Sequence, residues 1–194
     1  MLLTHHTPNG VRISRHHSLD LYGLPDDGRS AAMVSALEEI ARVARTFTGA
    51  DAATVNLLPA GRQVTLAATS PDAPTEMPER HSICATLLEQ RPVSAIVVPD
   101  LSRDQRFADN PYVTGELAAV RGFVSAPLLG RERIAIGSLC AWWMTPRSLT
   151  RDETALLDQL ARAAVNVLDD ARRDRRVVTL FPERVVTADT APAA

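Results

Sequence analysis

From Ser30 onward the apolar positions fall at helical spacing. Met33, Leu37, Ile40, Ala44 and Phe47 step by 4, 3, 4 and 3, while Glu38, Glu39, Arg42 and Arg45 take the other faces. Gly49 follows Thr48 as a natural left-handed stop, so the spacing predicts a helix over 30–48. Two β-like runs at 52–58 and 63–69 flank the turn Pro59-Ala60-Gly61-Arg62 and predict a hairpin. Residues 70–79, rich in proline and acidic side chains, read as a loop. A short helix over 82–90 follows, with Ile83, Leu87 and Leu88 on one face. A short apolar strand is expected at 95–98, then a loop through Pro111. Two longer strands are expected at 120–128 and 134–143, joined through 129–133.

The last helix has a clear start. Thr150-Arg151-Asp152-Glu153 fits a capping box, in which each end residue's side chain bonds the other's backbone amide. Leu157, Leu160, Ala164, Val167 and Ala171 then step by 3, 4, 3 and 4, with Leu156 and Ala163 on a neighbouring face. The helix is expected to fray in the arginine run at 172–176. Beyond it, residues 177–186 are apolar, β-prone and broken by Pro182, a segment suited to folding back or to adding a strand to a partner. The order of elements is not the strict alternation of a doubly wound sheet. It predicts an α+β fold with a mixed or antiparallel sheet and helices gathered on one face. Three regions result: an N-terminal arm over 1–29, a domain over 30–172 and a tail over 173–194.

Composition narrows the function classes. The chain has 194 residues, 45% hydrophobic and 23% charged, which suits one soluble domain with a real core. The net charge of −2 supplies no basic field for nucleic acid or an anionic membrane. All 21 basic residues are arginine, spread without a single patch. No run approaches the roughly 20 apolar residues of a membrane span, and the N-terminus lacks a secretory signal. Two cysteines without a CxxC pair fit a reducing compartment, and a cytoplasmic location is expected. His5-His6 and His16-His17 lie in the polar arm and read as solvated, so no metal site is expected.

Two segments carry a family resemblance. Val98-Pro99-Asp100 followed by Asp104-Gln105-Arg106-Phe107-Ala108-Asp109-Asn110-Pro111-Tyr112-Val113-Thr114-Gly115 resembles the stretch V-P-D … D-x-R-F-x-x-N-P-x-V-x-G of GAF domains in bacterial sensor kinases and cyclases. Val120-Arg121-Gly122-Phe123-Val124-Ser125-Ala126-Pro127-Leu128, with Ile136-Gly137-Ser138-Leu139-Cys140, is similar to their I-R-F-Y-A-G-A-P-L … L-G-T-L-C. Ser82-Ile83-Cys84-Ala85 and Pro146-Arg147-Ser148-Leu149 resemble their S-F-C-A and P-R-x-L. The resemblance covers about residues 31 to 170. It implies a central, mostly antiparallel sheet of five to six strands with the N- and C-terminal helices packed on one face. It also implies a sensory or regulatory role, a homodimer through the terminal helices and a separate signalling protein as effector. Gly122 stands where the family usually has an aromatic and Phe123 where it often has tyrosine, which makes any pocket there more apolar. No aromatic cage for a nucleotide base is legible, and no cofactor is named.

The candidate ligand contacts each have a structural alternative. Asp100, Asp104 and Arg106 could order a ligand through charge-assisted hydrogen bonds, or could cap turns and pair with one another. Phe107 plugs the core under that loop or floors a pocket. Arg121, Phe123 and Ser125 share one strand face and could form a small-molecule wall, unless Arg121 pairs with Glu116 or an aspartate. Cys84 and Cys140 could be reactive or cofactor-binding, or could serve as small buried hydrophobes. No Ser-His-Asp set, Walker loop, HExxH or CxxC pair appears, His81 reads as a cap neighbour, and no catalysis is expected. A free methionine sulfoxide reductase-like enzyme and a thiol redox sensor are the alternatives, and they require Cys84 and Cys140 to meet. A site filled by Phe107, Phe123 and Trp142 would instead indicate a ligand-free scaffold.

Overall fold

The structure is a computed structural model that describes residues 30–131 and 133–180. The N-terminal arm with its two histidine pairs, and the part of the tail beyond Leu180, lie outside the described residues. Helix α1 (Ala31–Thr48) begins where the Ser30 hydroxyl accepts the Met33 amide at 3.1 Å and stops at Gly49, whose φ is +65°. Met33, Leu37, Ile40, Ala41 and Ala44 form its buried stripe. Phe47, expected in that stripe, is 53% exposed; Thr48 turns inward instead and donates its hydroxyl to the Ala44 carbonyl at 2.7 Å.

The predicted hairpin forms as β1 (Ala52–Leu57) and β2 (Arg62–Ala68), with Gly61 supplying the positive φ at the turn. Thr54 faces Ala68 and Asn56 faces Thr65, with a register shift between Val55 and Asn56. Part of the segment expected as loop is a strand. β3 (Glu76–Pro78) pairs with β2 at the sheet edge, where a proline is tolerated because no further strand needs its amide. Next come α2 (Ile83–Leu88), β4 (Ile96–Val98) and α3 (Pro111–Thr114), a single turn capped by Asn110. The chain then forms the long antiparallel pair β5 (Gly122–Leu129) and β6 (Ala135–Trp143).

The six strands run β3-β2-β1-β6-β5-β4, every neighbour antiparallel. β1 pairs with β6, so the chain between β2 and β5 must cross one face of the sheet. That crossing segment becomes a second layer.

α4 (Arg151–Leu180) packs beside α1 on the other face. Its capping box is formed as the sequence predicts: the Thr150 amide donates to Glu153 Oε2 at 2.7 Å, and the Glu153 amide donates to Thr150 Oγ1 at 3.2 Å. The expected fraying at 172–176 does not occur, and the helix continues through Leu180. Arginine is a good helix former, so a run of it does not end a helix that is already nucleated.

Two cores follow from strand alternation. Val55, Leu57, Val124, Ala126, Leu139, Ala141 and Trp143 face the terminal helices and pack against Leu37, Ala41, Leu157, Ala161 and Leu168. Burying one such leucine fully contributes roughly 1.5–3 kcal/mol. The opposite face carries Leu58, Phe123 and Cys140, covered by Ile83, Leu87, Leu101, Phe107 and Val113 from the crossing segment. No helix among the described residues is long and apolar enough to cross a membrane.

Candidate functional site

The face of the sheet away from α1 and α4 presents polar side chains in positions that are otherwise buried. Thr54 lies opposite Cys140, and Asn56 opposite Ser138. On the other side of β6, Ser125 lies opposite Cys140 and Phe123 opposite Trp142. Thr54, Asn56, Gln63, Ser125 and Ser138 are all buried. Buried polar groups of this kind persist only when hydrogen-bonded. Asn56 Nδ2 donates to Thr54 Oγ1 at 2.8 Å, while its Oδ1 lies 3.1 Å from the Thr65 hydroxyl. The Ser82 hydroxyl donates to Gln63 Oε1 at 2.6 Å and accepts the Ala85 amide at 3.0 Å, which ties the start of α2 to β2.

Between this face and the crossing segment lies a cavity of about 370 Å³. Its floor is Thr54, Asn56, Gln63, Phe123, Cys140 and Trp142, and its roof includes Ile83, Cys84, Tyr112, Leu117 and Val120. Leu117 and Met144, both on its lining, are 56% and 46% exposed, so the cavity reaches the surface there. The lining contains no arginine, and its only Asp, Glu or His side chains are Asp72 and His81. Burial raises the Tyr112 phenol above its ordinary value, so that ring presents a neutral O–H. The chemistry available is a hydroxyl- and amide-bearing floor under largely apolar walls, suited to holding an uncharged molecule.

Of the residues singled out from sequence, Cys84, Phe123 and Cys140 line this cavity. Their sulfurs bring Cys84 and Cys140 together: the two Sγ atoms are in bonding contact, across 56 residues of sequence. Ser125 is fully buried beneath the floor, its Oγ 3.9 Å from Cys140 Sγ.

The other five do not line the cavity. Asp100 accepts the Ser102 amide at 3.1 Å and the Ser102 hydroxyl at 2.6 Å, and the hydroxyl is the main reason its carboxyl sits below the usual range. Asp104 accepts the Arg106 amide at 3.1 Å and pairs with the Arg106 guanidinium, which lowers the acid and raises the base. Phe107 is 1% exposed in the second core, with the Arg106 guanidinium 5.3 Å above its ring. Arg121 precedes β5 and donates to the Val113 and Val120 carbonyls at 3.0 Å, so neither Glu116 nor an aspartate takes its hydrogen bonds. Asn110 completes the pattern by accepting the Tyr112 amide at 3.0 Å and donating to the His81 carbonyl at 3.1 Å. These polar side chains build the loop between β4 and α3, through turns in which Asp or Asn accepts an amide two residues on.

Residues 33–168 match the GAF domain family. The chain belongs to that family. It is 33% identical over 150 residues to a cyclic di-GMP phosphodiesterase of Pseudomonas aeruginosa, a match that takes in 77% of this chain and 24% of the relative. The chain thus spans about a quarter of that relative's length. Among solved structures, the GAF domain of PixJ from Thermosynechococcus elongatus in its blue-light absorbing form superposes with a TM-score of 0.62 at 13% identity, covering 80% of this chain and 95% of that one. The GAF domain of an Acinetobacter phosphoenolpyruvate-protein phosphotransferase gives 0.60 at 14% identity, covering 85% and 97%. Both share the fold of this GAF domain.

The floor residues Thr54, Asn56 and Gln63 were not singled out from sequence. The available signal was modest: polar residues alternating with Ala53, Val55 and Leu57 in a run too apolar overall to look half-exposed.

Proposed function

We propose that this GAF domain is a non-catalytic sensory module of bacterial signal transduction, regulated by a small uncharged molecule held in the cavity. The observation that carries this reading is the cavity itself, whose volume falls within the range of small-molecule sites. The hydroxyl and amide groups of Thr54, Asn56 and Gln63 are placed to orient a ligand, and Phe123 and Trp142 supply flat apolar contact. A phosphate-bearing ligand fits poorly, because the lining offers no guanidinium to pair with it. The relationship to part of a cyclic di-GMP phosphodiesterase supports a place in signalling, in the share of such proteins that this chain matches.

In this reading the signal leaves through α1 and α4. Both pack on the face of the sheet opposite the cavity, so β1, β5 and β6 touch ligand on one side and helix on the other. The domain acts as a homodimer through those helices and reports to a separate signalling protein.

Native mass spectrometry of freshly purified protein, beside a denatured sample of the same batch, tests the ligand. A mass that accompanies the native protein and vanishes on denaturation supports the proposal and gives the ligand's mass. If only bare chains are found, and a neutral-metabolite collection produces no thermal shift that Asn56→Leu abolishes, the sensory reading fails and a ligand-free scaffold replaces it.

A further inference from the structure

We infer that Cys84 and Cys140 form a reversible dithiol–disulfide site inside the cavity, oxidised by a hydroperoxide and restored by a dithiol reductant. Cys84 comes from the roof helix α2 and Cys140 from the middle of β6 in the floor, and their Sγ atoms are in bonding contact. Both side chains line the cavity, the route by which a small oxidant reaches sulfurs that are otherwise only 2% and 1% exposed. Each sulfur also has a polar companion. The Ser138 hydroxyl is 2.9 Å from Cys140 Sγ, and the Asn56 amide points at Cys84 Sγ from 3.9 Å. A pair serving only as core filler would be expected among hydrocarbon; the Asn56 amide is a donor that favours the Cys84 thiolate, the form that reacts.

The chemistry balances with one oxidant. One thiolate attacks the O–O bond of the hydroperoxide, forming an S–O bond and releasing the alcohol, or water when the oxidant is hydrogen peroxide. The second thiolate attacks that sulfenic sulfur, the S–S bond forms and a water leaves. Two thiols have been oxidised by two electrons and one peroxide reduced. A dithiol reductant reverses the bond by exchange and is itself left as a disulfide.

Oxidation should also change the cavity. A bond between them ties the first turn of α2 to β6, and reduction releases that tie. The Ser82–Gln63 hydrogen bond beside Cys84 holds the same turn to the sheet, so movement there reaches the floor as well.

The test uses the wild-type chain and needs no ligand, so it succeeds or fails apart from the sensory reading. Native protein is reduced, exposed to excess hydrogen peroxide, then denatured and alkylated, with intact and peptide masses recorded. The expected result is uptake of two alkyl groups by the reduced form and none by the oxidised form. A single crosslinked pair of peptides should carry Cys84 and Cys140, and dithiothreitol should restore both thiols under native conditions. Amide exchange over residues 83–88 should slow by about tenfold on oxidation. Two alkylatable thiols after peroxide, over-oxidised sulfur without a crosslink, or a bond that native dithiothreitol leaves intact would each overturn the inference.

Discussion

Gly137 on β6 lies so close to the carbonyl of Asn56 on β1 that a Cβ at this glycine would sit 2.0 Å from the oxygen. The contact is backbone against backbone directly under the cavity floor, so no side chain can swing aside to relieve it. Gly137→Ala must push β1 and β6 apart where Asn56 and Ser138 pair. The expected cost is about 3 kcal/mol, at the upper end for overpacking, read as a lower urea midpoint at unchanged slope. Gly61→Ala is the control. Its Cβ would meet nothing, and only the positive φ of +71° is strained, so a loss of about 1 kcal/mol is expected.

The capping box gives the fold a defined acid dependence. The Thr150 amide, with help from the Arg147 guanidinium at 2.7 Å, holds the Glu153 carboxyl below the ordinary glutamate range. Between the folded and unfolded values the unfolded chain binds more protons, so stability rises with pH there. The contribution is fully present above the unfolded value of about 4.3 and is lost as pH falls through the folded one. Glu153→Gln should therefore cost about 1 kcal/mol near neutral pH and less in acid below the folded value, where wild type is protonated too. Urea unfolding at both values checks this; an equal gap at both would show that the charge of Glu153 is not the source.

The loop with the D-x-R-F pattern is held by a buried ring, Phe107, and by an ion pair at the surface between Asp104 and Arg106. Phe107 is the largest of the fully buried side chains, and Phe107→Ala should cost about 3–5 kcal/mol. Arg106→Ala removes an exposed ion pair and a ring contact, and about 1 kcal/mol or less is expected. Denaturant midpoints of the two variants separate these roles. A ratio near one would mean that the loop is held by its charges rather than by its aromatic plug.

The sequence was most legible where periodicity and capping agree. The Gly49 stop and the Thr150–Glu153 box follow from orphan amides, which are local physics. The stripes were only half legible: Phe47 is exposed, and in α4 Ala161 and Leu168 fill the core while Leu160, Val167 and Ala171 are only partly buried. β3 was hidden because three residues beside two prolines carry no alternation, and only pairing with β2 makes them a strand. The candidate site was harder to read for the opposite reason. Asp100, Asp104 and Arg106 are conspicuous charges in a loop, but their polar atoms are used within three residues of their own position. Thr54, Asn56 and Gln63 are inconspicuous, and acquire their meaning only when β1, β2 and β6 align them over one cavity. Cys84 and Cys140 show the same limit, since nothing local signals a contact across 56 residues.

The proposed homodimer makes a last prediction from helix faces. Leu157, Ala161, Ala164 and Leu168 of α4 are fully occupied by the core. Leu156, Leu160, Ala163 and Val167 are only partly buried, as is Val34 on α1, and they leave an apolar flank along the helix pair. A second copy that covered this flank would bury more of each of these side chains. Leu160→Arg should leave the monomer fold intact, because an arginine stem covers apolar surface while its charged end reaches water. It should nonetheless break an isologous contact, in which each substitution appears twice. Light scattering after size exclusion should give twice the chain mass for wild type and a single chain mass for the variant, with unchanged circular dichroism. A wild-type protein that runs as one chain at micromolar concentration would remove the dimer, and α4 would then have to signal as a single helix.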